Sequence, residues 1–205
     1  NPGYESIEQD GIISGGDVRY LTQGNADHKV GVGGATPENS GDLVKLGTET
    51  PRYLYGINLG LEWKGFDFSM FWQGVGYRKY IVHNQTFGPM VSTGRTPLTI
   101  HRDHWREDNQ DAYFARLTGN MAFNYHVTDR WLQNGAYLRL KNIQLGYTIP
   151  VPKNVMQSLR VYVTGVDVWE HTKAFKVYDP EVSNNLNLYY YPFFRTWTLG
   201  VKLNF

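Results

Sequence analysis

The chain of 205 residues contains no cysteine, which excludes disulfides, thiolate-bound zinc and cysteine nucleophiles together. It says nothing about compartment, because an oxidising space permits disulfides without requiring them. No run of about 18 apolar residues occurs, so no membrane-spanning helix is encoded. Charge of one sign is also lacking: the formal net charge is +1, and no Lys/Arg cluster points to nucleic acid or an anionic surface. The opening "NPGYESIEQD" has neither a charged-then-apolar leader nor an initiator Met, which predicts a processed chain or a fragment. Aromatics and glycine, in contrast, are plentiful: 15 Tyr, 10 Phe, 6 Trp and 22 Gly. The mean hydropathy of −0.46 does not argue against a membrane, since a barrel strand shows lipid only every second side chain.

Period-two alternation is the main signal. In "FFRTWTLGVKLNF" the odd positions, Trp197, Leu199, Val201, Leu203 and Phe205 with Phe193 and Arg195, form a largely apolar row. The even positions are polar or small except Phe194. In "RYLYGINLGLEW" the row Tyr53, Tyr55, Ile57, Leu59, Leu61 and Trp63 has aromatics at both ends and aliphatics between. A strand facing lipid needs that distribution, with Tyr and Trp at the two interfaces. "GFDFSMFWQGVGYRKY" follows after a tight hairpin, with Phe66, Phe68, Met70 and Trp72 in phase and Phe71 as the exception. "AYLRLKNIQLGYTI" changes phase near Lys141-Asn142, which predicts a bulge. "SLRVYVTGVDVW" changes phase around Gly165, bringing Val166 and Val168 into one row, and "DVRYLT" reads as a shorter strand.

The connections alternate as regularly as the residues. The 63–66 and 149–159 joints are short, whereas 23–51, 81–135 and 170–192 are long. Soluble sandwiches do not need long loops at every second joint, and outer-membrane barrels do, with short periplasmic turns and long outer loops. All long segments then fall on the extracellular side. Five or six strands are too few for a closed single-chain barrel, which has an even count of eight or more. The economical reading is an all-β fold that forms part of a larger barrel.

The blocks "YGINLGLEWKGFDFSMFWQGVG", "WLQNGAYLRLKNIQLGYTIP", "RVYVTGVDVW", "DPE" and "TLGVKLNF" resemble, in order, the C-terminal portion of the SusC/RagA family of TonB-dependent outer-membrane transporters. The resemblance implies that residues 1–205 are C-terminal antiparallel strands of a 22-stranded transmembrane β-barrel with long extracellular loops. The plug domain, the TonB-contacting N-terminal region and the earlier strands would lie outside this sequence. It implies a multi-pass protein of a Gram-negative outer membrane, a SusD-like surface lipoprotein as lid, and import of an oligosaccharide or peptide. It implies no catalytic centre, no cofactor and no nucleic-acid partner. Relatives often carry "D-x-N-G-D-G-K-I" after a "GD-x-x-Y" strand. Here "LTQGNADHKV" keeps Asn25 and Asp27 but lacks the flanking carboxylates, so no calcium site is expected.

Three local features compete with bland explanations. His101, Asp103 and His104 have the side chains of a zinc site, but no fourth ligand is near, so a solvated loop is expected and no metal. Glu62 and Asp67 flank the hairpin like a glycosidase pair, yet their phase makes them lumen polarity or partners for plug cations. Trp105, Tyr113, Phe114, Tyr189, Tyr190 and Tyr191 lie in long loops. They fit an interfacial girdle or loop packing first, contact with the lid next, and cargo contact last. Two further classes remain: a soluble β-sandwich that binds carbohydrate, and a small self-contained porin-like or adhesin barrel.

Trp197, Leu199, Val201, Leu203 and Phe205 carry assembly and closure, since the resemblance implies that a terminal aromatic on such a strand is read by the barrel-assembly machinery. Deleting Phe205, or changing Val201 to Asp, is expected to lower outer-membrane abundance without altering any cargo contact. A charge on a lipid face costs up to about 4 kcal/mol at mid-bilayer. Membrane fractionation of the variants checks this.

Overall fold

The alternating segments pair into ladders in the computed structural model, which describes residues 7–8, 13–23, 29–31, 36–81, 88, 96–119, 122–152, 156–175, 179–181 and 193–205. The chain divides into two units, residues 1–46 with 82–131, and residues 47–81 with 132–205. The first unit has one short antiparallel pair, β1 (Ile7–Glu8) with β2 (Lys29–Val30), and three 3-10 turns at Thr99–Arg102, Ala122–Tyr125 and Asp129–Trp131. Its core is aromatic. Trp131 stacks on Tyr125 at 4.9 Å between centroids, and Phe114 packs edge-on against Tyr113 and His101.

The second unit contains the long strands β3 (Leu54–Trp63), β4 (Phe66–Val75), β7 (Tyr137–Ile149), β8 (Ser158–Thr172) and β9 (Thr196–Asn204). They form an antiparallel sheet in the order β3-β4-β7-β8-β9. Two shorter strands, β5 (Lys79–Ile81) and β6 (Leu132–Asn134), pair with each other. They continue the β4–β7 ladder beyond a break at residues 76–78. The segment "GFDFSMFWQGVGYRKY" therefore forms two strands, not one. No α-helix occurs among the described residues.

Register puts the alternating positions into continuous rows. Leu61, Phe68, Leu145, Val163 and Leu199 lie side by side across the five long strands. The next row is Trp63, Phe66, Tyr147, Val161 and Val201, in which the Phe66 and Tyr147 rings meet at 4.4 Å. At the opposite end of the same face, Trp72 and Trp169 pack edge-on at 5.5 Å. This face is open: Leu199 is 80% exposed, although burying such a side chain is worth about 1.5–3 kcal/mol. The other face carries the row Gly60, Ser69, Gln144, Thr164 and Thr198.

The β3–β4 turn has positive φ at both central residues, Lys64 at 46° and Gly65 at 89°, as a tight hairpin matched to strand twist requires. The bulge expected near Lys141-Asn142 is present. Phe71 faces Asn142 and Trp72 faces Leu140, leaving Lys141 over. On the other side Lys141 stands against Asp167 and Val168, and Asp167 takes φ 52°.

This position corrects the reading of "SLRVYVTGVDVW". Val166 faces Asn142 and Thr196 on the polar side, and only after Asp167 do Val168 and Trp169 regain the apolar face. Phe193 is corrected as well. It precedes β9, and its ring lies 5.6 Å from the Arg139 guanidinium and 5.7 Å from Lys141 Nζ, on the polar side. Residues 17–22 form no strand. Asp17 turns the chain by accepting the Ser14 N–H, and the Val18 N–H donates to the Asn124 side chain, so these groups serve no ladder. Phe71, out of phase by polarity, is explained by Gly56 on β3: a Cβ there would sit 3.1 Å from its ring.

Glycine makes the polar face flat elsewhere too. A Cβ on Gly200 would lie 2.3 Å from the Tyr162 ring, whereas one on Gly60 meets nothing closer than 3.9 Å. Gly200→Ala is therefore expected to destabilise the protein by about 1–3 kcal/mol through overpacking. Gly60→Ala should change stability by less than about 0.5 kcal/mol. Thermal unfolding in detergent, followed by gel mobility, compares the two.

Candidate functional site

The densest chemistry of the polar face lies at the end of the sheet where β7 begins and β8 ends. Alternation points Arg139 away from the apolar rows and puts Lys141, two residues on, on the same side, and the bulge shifts phase only after it. Arg139 is 1% exposed. Its guanidinium contacts Glu170 at 2.5 Å, Asp179 at 2.6 Å and Glu181 at 2.7 Å. Lys141 holds Asp167 at 2.9 Å and Glu181 at 3.2 Å. Arg78, just after β4, donates to the Pro180 carbonyl at 3.0 Å. So compact a set of ions is tolerable because each charge has an opposite partner at bonding distance. Neither the "DPE" block nor the strand phases linked these residues. The one signal in the sequence was the pair of cations in "RLKN", two positions apart and so on one face of a strand.

Nearer the β3–β4 turn, Glu62 and Asp67 are direct register partners. Asp67 is taken up by Arg160, whose Nε donates at 2.8 Å and whose Nη2 makes a second, shorter bond. The guanidinium reaches across β7 because Gly146 has no side chain in the way. A carboxylate bound by a fork in this manner is an acceptor only, not the protonated acid that a glycosidase needs.

In the first unit, Asp17 is the polar centre, with its side chain 4% exposed. It accepts from Arg116 Nε at 2.7 Å, Arg116 Nη2 at 3.0 Å and Asn124 Nδ2 at 2.9 Å. Burial pushes the Asp17 carboxyl up. The Arg116 and Asn124 donors with the Ser14 N–H outweigh it, and the group titrates below the usual carboxylate range. Asp42 is lowered as well, because its two oxygens accept the Gln23 and Gly31 N–H groups. Burial depresses the His126 imidazole, which favours its neutral form. Beside these residues lies a cleft of about 930 Å³ lined by Asp17, Tyr20, Trp105, His126 and Arg130 among others.

The loop aromatics separate. Trp105 lines the cleft, with its indole seated on Gly15 and Gly16. Tyr113 is half-buried, edge-on to Phe114 and Trp131, and its carbonyl accepts from Arg130 at 2.7 Å. Phe114 is 1% exposed and packs among His101, Tyr113 and Trp131. Tyr189, Tyr190 and Tyr191 lie outside the described residues. Trp197, Leu199, Val201, Leu203 and Phe205 are all exposed, the first four along β9.

The side chains of His101, Asp103 and His104 are taken up by local structure. The Leu98 N–H donates to His101 Nδ1 at 2.7 Å, and His104 Nδ1 pairs with the His101 carbonyl at 2.8 Å. Asp103 accepts from Asn109 and from the Tyr113 N–H. Among the described residues no group of three or more His, Cys, Asp or Glu is arranged for a metal ion.

No family model matches the chain. Individual relatives do. TonB-dependent receptor P26 of Formosa agariphila is 29% identical over 182 residues, covering 80% of this chain and 18% of the relative. TonB-dependent receptor SusC of Bacteroides thetaiotaomicron is 25% identical over 174 residues, covering 82% of this chain and 16% of that one. Among solved structures, the RagAB peptide transporter superposes with a TM-score of 0.63 at 25% identity, over 89% of this chain and 19% of that chain. The RagAB peptide importer in its open-open state gives 0.61 at 24% identity over the same shares.

Over about four-fifths of its length the chain is thus similar to TonB-dependent receptors, SusC among them. It spans less than a fifth of the length of the relatives it matches. Its sheet is a segment of a TonB-dependent receptor barrel, apolar on one face and polar on the other. The relatives are named as receptors, transporters and importers, not enzymes, in keeping with carboxylates that are tied up in ion pairs.

Asp17→Asn in the whole receptor should destabilise the first unit by about 1–3 kcal/mol, because a charge-assisted pair is replaced by a weaker one. The native Asp17 has its pKa lowered by folding, so its contribution is complete above about pH 4 and is lost as pH falls through the lower folded value. Hydrogen exchange at residues 17–20 and 115–118, corrected for intrinsic rates, should separate variant from wild type at pH 7. The gap should shrink on acidification.

Proposed function

We propose that these residues are the C-terminal wall and extracellular loops of an outer-membrane importer for oligomeric nutrients in a Gram-negative bacterium. The plug, the earlier strands of a 22-stranded barrel and the TonB-contacting region belong to the remainder of the polypeptide. A SusD-like lipoprotein covers the mouth, and TonB supplies the energy that remodels the plug. Cargo is an oligosaccharide or a peptide, and the RagAB likeness favours a peptide.

One observation supports this reading: five antiparallel strands carry apolar rows on one face and a hydrogen-bonding face on the other, which a barrel would turn outward and inward. The outward rows suit lipid, with aromatics at both ends. The inward face suits water and a polar chain in transit. A soluble sandwich would need a second sheet over the apolar rows, and the described residues supply none.

Deleting the gene is expected to abolish growth on the one oligomer class that the receptor serves and to leave growth on its monomer intact. Import should collapse when the proton-motive force is dissipated. Purification should require detergent and bring down a surface lipoprotein. A receptor that folds fully without any amphiphile would overturn the reading.

A further inference from the structure

The connection between β8 and β9 begins and ends on adjacent strands. A loop rising straight from both would stay above them. Its described middle does not. Asp179 and Glu181 are bound to Arg139 on β7, and the Pro180 carbonyl accepts from Arg78, on the connection that follows β4. Residues 179–181 therefore cross the polar face by two strands. Pro180 is fully buried. The Glu181 N–H donates to Asp179 Oδ1 at 2.9 Å, so both carboxylates of the turn are held facing the cations. Phe193, on the return path, packs over Arg139 and Lys141.

We propose that Asp179-Pro180-Glu181 is a strap across the inner wall, clamped by Arg139 and Lys141, which narrows the passage at the loop end and hides the wall cations from cargo. It rests on reading the polar face as the wall of the passage. Two features fit a device more than a plain packing contact. Apart from the buried Pro180, the strap's contacts are ions and one carbonyl, groups that water also satisfies once the strap departs. The wall keeps its own acids, Glu170 for Arg139 and Asp167 for Lys141, so neither cation is left alone when the strap departs. Held, the strap leaves four carboxylates around Arg139 and Lys141. Released, it leaves each cation with one wall acid and opens the site to anionic groups on the cargo.

The test uses the full-length receptor in intact cells. Asp179→Asn with Glu181→Gln removes the strap's charges and leaves the wall unaltered, and Glu181→Gln alone is the milder form. Cleavage between residues 173 and 195 by an added protease is followed by mass spectrometry. The double variant should be cut about tenfold faster or more at unchanged surface abundance. Arg139→Gln added to it should accelerate cleavage little further, because both changes break one clamp. An unchanged cleavage rate overturns the strap. So does loss of both variants from the surface, which would make residues 179–181 part of the wall itself. Oligomer import is measured in parallel on the wild type. Its absence would sink the importer reading and leave the cleavage result standing.

Discussion

A peptide N–H has no water to turn to inside a bilayer, so every strand must be saturated by its neighbours. β4, β7 and β8 meet this condition on both sides, and β3 and β9 on one side each. The rest follows from it. Strands long enough to cross the hydrocarbon need turns at one end that do not interrupt pairing, and Lys64-Gly65 supplies the shortest. At the other end the chain is free of the constraint, and there it grows long connections. The five-strand sheet leaves β3 and β9 with one open edge each, and the relatives it matches are about five times its length.

Charge is handled by the same logic from the inner side. Arg139, Lys141 and Arg160 are each drawn to carboxylates on neighbouring elements, and none projects among the apolar rows. The bulge at Lys141 matters here. Without the extra residue, strict alternation would send either Arg139 and its partners or the rows below them to the wrong face. The strain of Asp167 in a left-handed conformation is offset by its own ion pair with Lys141.

What the sequence disclosed and what it hid divide by range. Alternation is local, and so β3, β4, β7, β8, β9, the tight hairpin and the bulge were legible, although β4 stops at Val75, β8 runs on to Thr172 and β9 begins only at Thr196. "DVRYLT" misled because its alternation is also local, whereas the partners that claim its backbone, Ser14 and Asn124, are not visible in a pattern. Phe193 misled because phase was extended past the point where pairing begins. The Arg139 cluster joins residues some 40 positions apart, and no periodicity reports that. The loop aromatics read as candidate contacts because exposure is not encoded in residue type. Phe114 proved to be the inside of a unit with its own core, while Trp105 borders a cleft.

Ile81 and Leu132 are register partners at the tip of the β5–β6 pair, so the stretch between them leaves and re-enters at one point. Asp17 ties that stretch to the chain's first residues through Arg116 and Asn124, so the two segments of the first unit must vary together. A change in one of these segments therefore selects for change in the other, while the long ladders of the second unit keep their own register.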